Sequence, residues 1–70
     1  MHNRIATYRT DRALSRRALA EAVGVNIQTI GYIERGDYAP SLELALRIAA
    51  FFTVSVHALF SLEPFTPLGA

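Results

Sequence analysis

The 70-residue chain contains no cysteine. Neither a disulfide nor a zinc–thiolate cluster can staple it, so apolar packing, alone or with self-association, must hold it together. Lysine is also missing. All seven basic residues are arginine, whose forked donors suit phosphate and guanine. Long apolar runs are absent too. The most apolar stretch, Ala49 to Val54, falls far short of the roughly 20 residues that span a bilayer, so no membrane partner is expected. The opening "MHNRIATYRTDR" lacks the apolar segment of a signal peptide, and a soluble, cytoplasmic protein is expected. His2 and His57 stand far apart with no paired carboxylates nearby, which leaves no metal site. No phosphate-cradling glycine loop, positioned nucleophile or carboxylate pair occurs, so no catalytic residue and no cofactor are expected. No small-molecule effector is expected, because 70 residues make one domain with no evident second one to sense it.

What is present is a hydrophobic fraction of 51%, enough for a folded core and too much for a disordered segment. A chain this short buries only about 60% of the surface that its unfolded form exposes. The net charge of +1 hides an asymmetry. Residues 1–20 hold Arg4, Arg9, Arg12, Arg16 and Arg17 against Asp11, whereas residues 37–70 hold Asp37, Glu43 and Glu63 against Arg47. One end is basic and the other acidic, as expected if one surface meets a polyanion.

Five short helices fit the pattern. The first runs from about Asn3, its N-cap, to Arg12, with Ile5 and Tyr8 inward and Arg4 and Arg12 outside. The second runs from Arg16 to Val23 behind Ser15, with Leu19, Ala20 and Val23 inward and Gly24 closing it in the left-handed conformation. The third follows Asn26 and stops at Gly36. At about 100° per residue, Ile30 and Ile33 lie close together and define its buried stripe, with Ile27 at the edge. Its opposite face carries Gln28, Gly31, Tyr32 and Arg35, and no acid. Ser41 caps a fourth helix to about Phe52, with Leu42, Ala45, Leu46, Ala49 and Phe52 inward. Ser55 caps a fifth, from Val56 to about Leu62, presenting Leu59 and Phe60 before Pro64 stops it. No strand is expected. The result is a compact all-α domain over residues 1–63 with a tail at 64–70, and helices two and three form a helix-turn-helix. Glu34 is out of place near a helix C-terminus, where the macrodipole disfavours an acid, and it needs a partner.

"LAEAVGVNIQTIGYIERG", residues 19–36, resembles the helix-turn-helix of the Cro/cI-type (XRE) regulators, a lambda-repressor-like fold. Leu19, Ala20, Glu21, Gly24, Val25, Ile30, Ile33, Glu34 and Gly36 fit the family pattern. "LS" at Leu14, "YAPSLELALRIAAFF" from Tyr38 and "VSVHALF" from Val54 extend the likeness over residues 3–62. Four positions depart from it. Asp37 replaces a frequent Lys or Asn, Ala13 and Thr53 replace frequent glycines at helix ends, and Ala18 replaces a capping-box Glu.

The resemblance implies a sequence-specific transcriptional regulator of double-stranded DNA, a repressor or autoregulator, whose third helix enters the major groove. It assigns DNA contact to Arg16, Arg17, Asn26, Ile27, Gln28, Gly31, Tyr32 and Arg35. Gln28 suits adenine, Ile27 suits thymine methyls, and Arg16, Arg17 and Arg35 suit phosphate. It pairs Arg9 with Glu34. It also implies a homodimer, for which Leu59, Phe60, Leu62 and Phe65 are the candidate surface. Asp37, Ile27 and the low net charge fit the alternative, a protein-interaction module that keeps the fold without specific DNA binding.

Overall fold

A computed structural model describes residues 1–65; the end of the expected tail, residues 66–70, lies outside the described residues. Five helices fold in sequence: α1 (Ile5–Asp11), α2 (Arg16–Val23), α3 (Ile27–Glu34), α4 (Leu42–Phe52) and α5 (Val56–Leu59). Each of the last four opens on its expected cap. Ser15, Asn26, Ser41 and Ser55 accept from the backbone N–H groups of Ala18, Thr29, Leu44 and Ala58. These bonds satisfy donors that a helix start leaves unpaired.

Glycine ends two helices as its conformational freedom predicts. Gly24 has φ +81°, and both it and Val25 donate to the Ala20 carbonyl. Gly36 has φ +79°, and Asp37 N–H closes the last turn of α3 by donating to the Tyr32 carbonyl. Ala13 (φ 51°) and Thr53 (φ 61°) adopt the same left-handed conformation without being glycine. Those two helix ends therefore close as glycine would close them, and they bear the strain.

The core is built from every helix. Ile5, Leu19, Ile30, Ile33, Ile48, Phe52 and Leu59 are fully buried, with Ala20 and Val23 of α2 and Ala45 and Ala49 of α4 beside them. Small residues on α2 let α3 and α4 pack closely against it. Arg12 lies outside the core, as expected, and covers one edge of it. Its Nη2 donates to the Phe52 carbonyl at 2.9 Å and its guanidinium lies over the Phe52 ring.

Four expectations need correction: the buried set of α4, the end of α5, the absence of strands and the cap of α1. α4 buries Leu44, Ala45, Ile48, Ala49 and Phe52, and leaves Leu42 and Leu46 exposed, at 72% and 51%. The true stripe starts two residues later than Leu42, because Ile48 and Leu44 seat the helix. α5 is a single turn and stops at Leu59 rather than Leu62. The next two residues, Phe60–Ser61 (β2), pair antiparallel with His2–Asn3 (β1), so a small two-stranded sheet ties the segment after α5 to the residues before α1. Finally, α1 begins at Ile5 with Arg4 at its N-cap position. Asn3 is drawn into the sheet, where its Oδ1 accepts from Ile5 N–H and its Nδ2 donates to the Ile33 carbonyl at 2.7 Å.

Candidate nucleic-acid interface

The outward face of α3 follows from its buried one. Ile30 and Ile33 point into the core, which fixes the helix rotation. At about 100° per residue, Gln28, Tyr32 and Arg35 then share an arc of about 60° on the far side. All three are exposed, as are Asn26 at the cap and Arg16 and Arg17 at the start of α2. Thus α2 and α3, joined through the Gly24 turn, place arginines beside a helix face that carries an amide, a phenol and a guanidinium.

Ile27 is half-buried and packs against the core, so only part of it reaches this face. Gly31, which the resemblance assigned to DNA contact, is buried. The cause is Arg35, one turn further on, which folds back so that its Nη1 lies 3.3 Å from the point where a Gly31 Cβ would stand. The Arg35 guanidinium lies 5.0 Å from the Tyr32 ring centroid, and its Nε is 3.2 Å from Asp37 Oδ2. Both ends of that ion pair are largely in water.

A second ion-pair cluster lies behind the helix. Arg9 Nε donates to Glu34 Oε2 at 2.8 Å, and Arg9 Nη1 donates to the Leu14 carbonyl. Glu34 has a second partner, for Arg16 Nε donates to Oε1 at 2.9 Å. The Glu34 side chain is 3% exposed, against 14% for Arg9 and 48% for Arg16. Burial pushes the Glu34 carboxyl upward, but the hydrogen bonds and charges of Arg9 and Arg16 outweigh it and hold the group below its ordinary value. The Arg16–Glu34 bond was not anticipated. Its signal was an arginine opening α2 together with an acid at the end of α3 that needed compensation.

The four residues expected to meet a second copy differ in exposure. Leu59 and Phe60 belong to the core and offer little surface to a partner. Phe65 is half-covered by Arg4, whose guanidinium stands 4.1 Å from the ring centroid. Leu62 alone of the four is fully exposed.

Two helices around a left-handed glycine, with one polar face of the second left bare, define a helix-turn-helix domain. Residues 5–59 match the family model described as Helix-turn-helix. An uncharacterized HTH-type transcriptional regulator of Methanocaldococcus jannaschii is 44% identical over 63 residues, which is 90% of this chain and 96% of that protein. Two solved structures share the fold. The restriction-modification controller protein C.AhdI from Aeromonas hydrophila aligns with a TM-score of 0.75 at 32% identity, over 81% of this chain and 86% of its own. The N-terminal DNA-binding domain of SinR from Bacillus subtilis aligns at 0.70 and 36% identity, over 77% and 80%. The chain belongs to the Cro/cI-type (XRE) family of helix-turn-helix transcriptional regulators, whose domain binds DNA and is not an enzyme. Among the described residues no helix is long and apolar enough to cross a membrane.

Proposed function

We propose that this regulator is a sequence-specific repressor or autoregulator that binds as a homodimer, each copy laying α3 in a major groove. The observation that carries the reading is the shared arc of Gln28, Tyr32 and Arg35, bare of any neighbouring element while Ile30 and Ile33 anchor the same helix from behind. Gln28, in the first turn, presents an amide that matches adenine N6 and N7. Tyr32, one turn on, offers its hydroxyl to a base or a phosphate. Arg16 and Arg17 supply phosphate contacts that set register. One such helix reads few bases, so two copies on a pseudo-palindromic site about one helical turn apart give useful specificity. Exposed Leu62 is the part of the expected dimer surface still available to a second copy. Occupancy of a promoter is the simplest mechanism for repression.

The test is selection of bound sequences from a random duplex pool, run in parallel with a Gln28→Ala variant. A two-fold symmetric motif whose adenine position relaxes in the variant is the expected result. Weak, unselective binding lost by about 200 mM salt would leave only the counterion term. The reading would then fail, in favour of a protein-interaction module.

A further inference from the structure

Arginine carries five N–H donors on a planar fork. Arg16 uses one, its Nε, on Glu34 Oε1 at 2.9 Å, and makes no other hydrogen bond among the described residues. Its terminal Nη1 and Nη2 groups remain free on a side chain that is 48% exposed. The carboxylate that holds it is a fixed post. Glu34 is 3% exposed and is gripped from the core side by Arg9, which is itself bonded to the Leu14 carbonyl. Two arginines share one carboxylate, so the cluster carries one surplus positive charge. Arg9 is nearly buried, and the surplus is therefore displayed at Arg16.

The Arg35–Asp37 pair provides the contrast. It has the same Nε-to-carboxylate geometry, but it is one-to-one, and both partners are mostly in water. It displays no surplus charge, and its post is not fixed. Of the two arginines, Arg16 is the one whose terminal edge is both anchored and uncompensated. An anchored fork has already lost the rotamer freedom that a loose arginine would lose on binding.

We infer that Glu34 is a positioning residue for DNA binding: it fixes Arg16 through Nε so that the Nη1–Nη2 edge serves as a bidentate clamp on a backbone phosphate beside the recognition helix. This rests on the reading that the α2–α3 face meets DNA. It adds a role for Glu34, which touches no DNA itself, beyond joining α1 to α3.

The experiment measures binding to a fluorescent duplex of the selected sequence between about 50 and 200 mM salt, where counterion release is read as a slope. Four variants are compared: Arg16→Ala, Arg16→Lys, Glu34→Gln, and Arg16→Ala with Glu34→Gln. Each is assayed at a temperature where its far-UV circular dichroism shows it folded. Arg16→Ala is expected to weaken binding about tenfold and to lower the salt slope by about 0.9. Glu34→Gln should reproduce most of both losses, and the double variant should be no worse than Arg16→Ala. Arg16→Lys leaves the Arg9–Glu34 bond in place and keeps the charge. It should preserve the slope and still lose affinity, because an ammonium has no planar fork.

A folded Glu34→Gln that binds like the wild type overturns the positioning role while leaving the Arg16 contact standing. A tighter-binding Glu34→Gln also overturns it, since Glu34 would then be sequestering Arg16 rather than aiming it. Wild-type affinity in Arg16→Lys refutes the bidentate geometry. An unaffected Arg16→Ala refutes the underlying reading that this corner meets phosphate.

Discussion

Replacing Glu34 with alanine should destabilise the fold more than replacing Arg9, and replacing Arg9 more than replacing Arg16. The order follows from what each change leaves behind. In Glu34→Ala, Arg9 is 14% exposed and keeps only the Leu14 carbonyl, so a nearly buried cation loses its anion. Removing one partner of a buried pair costs about 3–5 kcal/mol; since Arg9 retains some water and one acceptor, the lower end, about 3 kcal/mol, is expected. In Arg9→Ala the carboxylate still has Arg16, and the loss is near that of a charged hydrogen bond, about 2 kcal/mol. In Arg16→Ala the removed group is half in solvent, the pair is screened, and the cost is about 0–1 kcal/mol. A chain of 70 residues has a stability of only about 3.5–10 kcal/mol. One kcal/mol moves the midpoint of so small a domain by about 4–8 °C. Thermal unfolding followed by circular dichroism should therefore show a fall of about 12–24 °C for Glu34→Ala and only a few degrees for Arg16→Ala. Equal losses for Arg9→Ala and Arg16→Ala, or a loss under about 1 kcal/mol for Glu34→Ala, would refute the burial argument.

Four further outcomes are expected. The carboxyl of Glu34 lies below its ordinary value of 4.5 in the folded chain, so its contribution is complete above that value and is lost as pH falls through the lower folded one. The difference in unfolding midpoint between wild type and Glu34→Gln should be flat near neutrality and shrink in acid; a gap that widens there would contradict the sign. Thr53→Gly relieves a β-branched residue at φ 61° and should raise stability by about 0.5–1 kcal/mol, measured by urea titration. Gly31→Ala should gain a similar amount of helix propensity, about 0.5–1 kcal/mol, because only the exposed end of Arg35 must move, while operator affinity falls as Arg35 is displaced. Asp37→Asn uncovers the charge of Arg35 and should steepen the salt dependence of DNA binding by up to about 1; an unchanged slope would mean that Arg35 does not approach phosphate.

The elements that local chemistry fixes were legible in the sequence. Four caps, the Gly24 and Gly36 turns and the Ile30–Ile33 stripe depend on side chains within a few residues of where they act, and pattern reading finds such features. What escaped was set by distant contacts. Leu42 and Leu46 satisfy helical periodicity as well as Leu44 and Ile48 do, and only packing against the other helices decides between the two sets. β1 and β2 are two residues each, too short to carry an alternation, and they exist because the segment after α5 meets the residues before α1, with Arg4 N–H donating to the Leu59 carbonyl at 2.8 Å. The polar residues of the candidate site were legible because helix rotation places them. The partners of Arg16 and Arg35 were not, because an arginine reaches far enough to choose among several acids.

That choice of partners determines how a chain of net charge +1 can address a polyanion. Formal charge counts every arginine equally, but the fold compensates them unequally. Arg35 is neutralised by Asp37 and Arg47 by Glu43, and Arg12 is turned onto the Phe52 carbonyl and ring. Arg9 is spent inside, holding Glu34. At the start of α2, Arg16 retains a surplus charge, and its neighbour Arg17 is exposed with no ion pair among the described residues. Arg4 and Arg12 also lack a carboxylate partner among the described residues, so it is position that singles out Arg16 and Arg17, at the start of α2 next to α3. Within a Debye length of about 10 Å, a phosphate meets this local pair of charges rather than the sum over the chain. The low net charge is therefore compatible with DNA binding, and the small number of uncompensated arginines at this corner keeps the nonspecific term small. A regulator whose affinity must come from a few base edges gains discrimination from that weakness, because a smaller counterion contribution leaves a larger fraction of the binding free energy dependent on sequence.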